Sequence, residues 1–123
     1  MKDQFRGKLG SGRHFPAKEW GKSFWRTLHF ASLLYRPSQE RAWKGMLVNW
    51  LPCAMPCERC RSHYLTTIRA ISNAEWRRIL SSRNRLVAFL YNLHNYISQR
   101  VKGSKYKHYT VSDFLDEYES KRA

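Results

Sequence analysis

The side chains able to do redox or metal chemistry are concentrated in one stretch, Pro52-Cys53-Ala54-Met55-Pro56-Cys57-Glu58-Arg59-Cys60-Arg61-Ser62-His63-Tyr64, which holds all three cysteines of the chain. A thiolate is both a nucleophile and a metal ligand, and a Cys-x-x-Cys spacing closes a small ring that is readily reduced and reformed. Cys57 and Cys60 therefore offer either a redox disulfide or two thiolates to a metal. Adding Cys53 and His63 gives four zinc-type donors within eleven residues. Structural zinc is more commonly held by two short ligand pairs that gather a loop between them. A single-segment string favours the redox reading and leaves a zinc knuckle as the alternative.

The neighbouring elements decide how that pair is presented. Tyr64, Leu65, Ile68 and Ile71 recur at helical spacing, so a helix over 57–71 starts at the Cys-x-x-Cys. Free N–H groups and the positive end of the helix dipole, with Arg59 and Arg61, favour a thiolate there and pull its pKa toward neutrality. Upstream, Trp20, Phe24, Trp25, Leu28, Ala31, Ser32 and Tyr35 mark a helix over 17–35, and Pro37-Ser38 a turn. Trp43, Met46, Leu47, Trp50 and Leu51 mark a second helix, which Pro52 is expected to stop. Downstream, a short helix over 75–80 carries Trp76, Ile79 and Leu80. A long one over 82–101 carries Leu86, Phe89, Leu90, Leu93, Ile97 and Val101, with Lys102-Gly103 as its stop. Thr110-x-x-Asp113 opens a last helix bearing Phe114, Leu115 and Tyr118. No strand or repeat emerges, so the class is all-α: a bundle of four main helices, whose core is a usual place for a cofactor.

At 123 residues the chain makes one domain, over 17–123, preceded by a basic arm at 1–16 that is expected to be flexible. No apolar run nears the roughly 20 residues of a membrane span, and no secretory signal is legible, so the expectation is a cytosolic protein. Twenty-three Lys and Arg against nine Asp and Glu give a net charge of +14, which attracts acidic partners. Those charges are scattered, so a nucleic-acid contact is not favoured, although a basic zinc- or nucleic-acid-binding module is the alternative function.

Histidines interrupt the apolar faces. A lone histidine there is ordinarily a satisfied core residue, but His29, His63 and His94 occur together with Trp20, Trp25 and Tyr35. Stacking rings with directed hydrogen-bonding groups suit a flat heteroaromatic cofactor. The combination Trp20-Gly21-x-x-x-Trp25-x-x-Leu28-His29-x-Ala31, Tyr35 near Pro37, Pro56-Cys57-x-x-Cys60-x-x-His63, and Ser82-Arg83 followed by His94-Asn95-x-Ile97 resembles the Erv/ALR family of FAD-linked sulfhydryl oxidases. The likeness is to the short single-domain form that large DNA viruses encode, and it runs in register from about 18 to 105.

That resemblance implies a four-helix bundle with an additional short fifth helix, holding FAD non-covalently. Cys57 becomes an exposed interchange cysteine facing a dithiol protein partner, and Cys60 the cysteine against the flavin. Electrons then pass to O2, giving H2O2. FAD-contacting positions fall on Trp20, Gly21, Trp25, His29, Tyr35, Cys60, His63, His94, Asn95, Ile97 and Ser98, and Arg100, Lys102 and Lys105 offer a positive cradle for the pyrophosphate. Two positions depart from the family pattern: Ser98 stands where asparagine is usual, and the common Gly-Lys is reversed to Lys102-Gly103. Cys53 is an extra thiol, read as a free buried cysteine ahead of an intersubunit bridge or a minimal shuttle. The resemblance also implies a homodimer through the exposed tryptophans of the first two helices, and disulfide formation for virus assembly in the host cytoplasm, virus factory or virion.

Overall fold

In the computed structural model the described residues are 15, 17–105, 108 and 110–121. The expected arm at 1–16 lies outside them except for Phe15. The Phe15 N–H donates to the Pro56 carbonyl at 2.8 Å, and its carbonyl accepts from Trp20 Nε1 at 2.8 Å. The chain entering the first helix is thereby tied to the loop in front of Cys57.

Helix α1 is Ala17–Ser32. It stops short of residue 35 because the N–H groups of Leu33, Leu34 and Tyr35 turn back to the carbonyls of Phe30, Ala31 and Ser32 in tight three-residue steps. A 3-10 turn, Pro37–Gln39, leads into α2, which runs without a break through Glu40–Gly45, Met46–Trp50 and Leu51–Ala54. Pro52 therefore does not end this helix. It is accommodated by a π-helical turn over Met46–Trp50, where the Leu51 N–H reaches back to the Met46 carbonyl. With Leu51 so engaged and no N–H on Pro52, the Leu47 carbonyl is left over, and the buried Tyr64 hydroxyl donates to it. That bond fastens α2 to α3.

Met55 is extended (φ −71°, ψ 113°), as the residue before a proline must be, and the chain restarts as α3, Glu58–Arg69. Helix α4 is Asn73–Ile79, capped by the Ser72 side chain on the Glu75 N–H; α5 is Arg83–Lys102, capped by Ser82 on the Arg85 N–H. Gly103 ends α5 with φ +56°, a conformation that favours glycine, and a 3-10 turn follows at Gly103–Lys105. Helix α6 is Val111–Lys121, with the Thr110 hydroxyl capping the Asp113 N–H at 3.0 Å.

Helix α5 is the axis of the fold, touching α1, α3, α4 and α6. Its Leu86 and Leu90 are fully buried, and Leu93 and Ile97 nearly so, among Leu47, Leu51, Tyr64 and Ile68 of α2 and α3. Each such side chain contributes about 1.5–3 kcal/mol through removal of apolar surface from water. The architecture is the all-α bundle expected, carried by α1, α2, α3 and α5, with α4 and α6 as short additions. A second, smaller cluster of Val87, Tyr91 and Phe114, with Phe30, Leu33 and Val111 packed on it, docks α6 apart from the main core. Among the described residues no helix is long and apolar enough to cross a membrane.

Candidate active site

The break between α2 and α3 positions the cysteines. Cys57 is the N-cap of α3 in extended conformation, and its Sγ accepts the Cys60 N–H at 3.3 Å. A residue at N-cap and another one turn on are brought together by the geometry of a first helical turn, and Cys57 and Cys60 form a disulfide with Cα atoms 5.2 Å apart. The surrounding loop is clamped: the Arg61 guanidinium donates to the Met55 carbonyl at 2.7 Å, and Arg59 to the Arg100 carbonyl at 3.1 Å. Both sulfurs are covered, Cys57 and Cys60 each being 3% exposed. The expected open interchange cysteine is thus not seen: Cys57 is buried as part of the main core cluster.

Cys60 lies on the wall of an open-mouthed cavity of about 440 Å³ lined by residues of α1, α5 and α6 and by Met55. Flat rings dominate its interior. His94 stacks on Trp25 at 4.3 Å and 8°, and His29 on Tyr91 at 3.8 Å and 17°. The two histidines meet through His29 Nε2 and His94 Nδ1, 3.1 Å apart, one nitrogen donating and the other accepting. Burial, then the neighbouring His94, pulls the His29 pKa from 6.5 to about 3; burial, then Lys102, pulls that of His94 to about 4. Both imidazoles are neutral at pH 7. The remaining nitrogen of His29, Nδ1, is buried without a hydrogen-bond partner among the described residues. A buried polar atom in that state costs about 1–3 kcal/mol, so a cavity ligand carrying a polar ring edge matches what the wall lacks. Lys18, Lys22 and Arg26 of α1, spaced one turn apart, join Lys102 of α5 on the same wall. That is a donor set suited to an anionic group.

The model of the Erv1 / Alr family matches residues 22–118. The chain belongs to the Erv1/Alr family. It is also 31% identical over 87 residues to the protein named "Putative FAD-linked sulfhydryl oxidase 096R" of Invertebrate iridescent virus 3. That match covers 68% of this chain and 57% of the viral protein, so the chain spans little more than half the length of that relative. No solved structure matches at comparable significance.

Of the positions the Erv/ALR resemblance picked out, this Erv1/Alr chain brings Trp20, Gly21, Trp25, His29, Cys60, His94, Ile97, Ser98 and Lys102 to one cavity. Four others stand off its wall. Tyr35 is buried in the main core, its hydroxyl donating to the Leu80 carbonyl and its ring set edge-on to Trp43. His63 is half-buried on α3, Asn95 is buried on α5, and Lys105 is exposed beyond α5. Arg100 is also elsewhere, stacked on the Tyr96 ring at 3.6 Å. The basic side of the cavity is therefore built mostly by α1, not by the end of α5. Lys18, Lys22, Arg26, Met55, Tyr91, Val101, Phe114 and Glu117 complete the wall and were not picked out from the sequence. The repeat of basic residues at 18, 22 and 26, one step from Trp25 and His29 around α1, is the signal that finds three of them.

Cys53 is exposed, contrary to the buried thiol expected, and its Sγ donates to the Asn49 carbonyl at 3.6 Å. It borders a separate cleft between α2, α3 and α4. The zinc alternative needs Cys53, Cys57, Cys60 and His63 at one point. The structure instead pairs Cys57 with Cys60, and no group of three or more His, Cys, Asp or Glu among the described residues is arranged around a metal position.

Proposed function

We propose that this chain is a FAD-dependent sulfhydryl oxidase that converts protein dithiols to disulfides. The observation that carries the reading is the placement of Cys60, half of a disulfide at a helix N-terminus, on the wall of a cavity lined with stacked aromatic rings and neutral histidines. When bound, FAD would carry two electrons from the reduced Cys57–Cys60 pair to O2, re-forming the disulfide and giving H2O2 with the two protons. Trp25, His29, Tyr91 and His94 offer the flat faces and ring nitrogens for its aromatic systems, and Lys18, Lys22, Arg26 and Lys102 the cations for its diphosphate.

The cysteines divide the work by position. A thiolate of the partner dithiol attacks Cys57 Sγ, forming a mixed disulfide and releasing Cys60 as a thiolate. The partner's second thiolate then attacks the mixed disulfide, leaving as an oxidised pair and freeing Cys57 with a proton from solvent. Two electrons have entered the chain, and Cys60 holds its charge at the N-terminus of α3, beside the cavity. Unpaired N–H groups there favour the anion. Because Cys57 is covered, a partner thiolate reaches it only after a local rearrangement around the Cys57–Cys60 pair.

The relative named a putative FAD-linked sulfhydryl oxidase comes from a virus, and the reading extends to disulfide formation for virus assembly in the host cytoplasm, virus factory or virion. Trp50, 60% exposed, is the tryptophan of α1 and α2 most available for a homodimer contact; Trp25 is in the core. The absorption spectrum of the purified chain tests the assignment. Flavin bands, with peroxide formed when dithiothreitol is added in air, are expected. A colourless protein that takes up no FAD, or one that holds zinc in stoichiometric amount, would overturn it.

A further inference from the structure

Helix α6 carries two residues of the cavity wall, Phe114 and Glu117, yet it is attached to the bundle almost independently of the main core. Phe114 contacts His29, Phe30 and Tyr91 with ring centroids 5.6, 5.2 and 5.2 Å away. One turn further on, Glu117 is ion-paired with Arg26 of α1, whose guanidinium also lies 5.1 Å from the centre of the Phe30 ring. The two side chains of that pair are 35% and 41% exposed, within reach of water and salt. An eleven-residue helix is marginal by itself, and one held by a small satellite cluster and a partly exposed ion pair is the kind of unit that opens locally without global unfolding.

We infer that α6 is a latched wall of the cavity, with Arg26–Glu117 as the latch, and that its release is the step by which a large planar cofactor enters or leaves. The identity of the cofactor rests on the oxidase reading; the latch rests on the Arg26, Phe114 and Glu117 contacts. Opening α6 removes Phe114 from His29 and Tyr91 and frees Arg26, exposing aromatic and cationic parts of the wall together. A ligand filling the cavity in turn holds the helix shut.

The test uses the FAD-loaded chain, with release read as the gain in flavin fluorescence after dilution. R26Q and E117Q are each expected to speed release about two- to fivefold, the scale of a partly exposed ion pair. Because Lys18, Lys22 and Lys102 remain in every chain, salt should accelerate release from all of them, but more steeply from the wild type than from R26Q or E117Q, and the swapped R26E/E117R chain should return toward the wild-type rate. Equal release from all four chains overturns the latch. Hydrogen exchange on the flavin-free protein separates the latch from a mere change of cavity charge. Exchange over 111–121 should quicken in E117Q while that over 83–102 does not, and unchanged exchange over 111–121 overturns the inference even if release changes. A wild-type chain that never binds FAD removes the oxidase reading, and the exchange measurement still decides whether Arg26–Glu117 holds α6 shut.

Discussion

Cys53 and the Cys57–Cys60 pair lie within eight positions of one another, yet they sit in different chemical worlds. Cys57 and Cys60 are 3% exposed, paired, and set at the start of α3 against a ring-lined cavity; Cys53 is exposed on the last turn of α2 and hydrogen-bonded within that helix. Two prolines make the difference, and they act in opposite ways. Pro52 is absorbed by the π turn of α2, so Cys53 stays helical and faces outward. Pro56 forces Met55 to be extended, so a new helix begins at Cys57, whose sulfur becomes its cap. Spacing along the chain says which thiols are near each other, but the helix boundary decides which of them can work.

The largest expected effects fall on the cysteines themselves. Cys57→Ser and Cys60→Ser should each lower turnover of a protein dithiol by about a thousandfold or more, as loss of a reacting nucleophile does. Retention of full activity by either variant would place the chemistry elsewhere. Acid should come next in effect, because the cavity beside Cys60 holds two neutral histidines. The unfolded chain protonates them below about pH 6.5, whereas the folded chain resists until about pH 4 for His94 and about 3 for His29. Their folded pKa values are depressed, so their protonation favours the unfolded chain: stability is full above pH 6.5 and falls as pH drops toward 4. Thermal melts at pH 7.5 and pH 5 should show that loss, and a flat profile would contradict the buried neutral pair.

Tyr64→Phe probes the helix that absorbs Pro52. It strips the Leu47 carbonyl of its donor next to the π turn and should cost about 1–3 kcal/mol in urea unfolding. An unchanged midpoint would mean that the carbonyl has another partner. Smallest of all is Cys53→Ser, expected to leave turnover within about twofold and stability within about 0.5 kcal/mol, as surface substitutions do. A large loss of dithiol oxidation in that variant would make Cys53 a shuttle.

The helices were legible in the sequence because Trp25, Leu28, Leu86, Leu90 and Ile97 repeat at the period of a buried stripe, and Ser72, Ser82 and Thr110 stand where caps are needed. Helix α2 misled at its end, since periodicity treats a proline as a stop and does not register a π turn that makes room for one. Trp25, His29, His94 and Ile97 line one cavity because residues on one face of two packed helices must meet. Tyr35 was aromatic and near in sequence, but its hydroxyl found the Leu80 carbonyl and drew the ring into the main core. Phe114 and Glu117 were invisible as site residues. Their place depends on how α6 docks across α1 and α5, a long-range arrangement that no local pattern encodes.

An oxidase of the proposed kind requires that one disulfide in this chain, Cys57–Cys60, feed electrons to a flavin in the adjoining cavity. Anaerobic titration of the FAD-loaded chain with dithiothreitol, followed by flavin absorbance, addresses it directly. Uptake of two electrons by the disulfide and two by the flavin is expected, unchanged in Cys53→Ser, with only the flavin's two electrons left in Cys57→Ser. A wild-type chain that takes up no more than Cys57→Ser, or a Cys53→Ser chain that loses the extra pair, would contradict it.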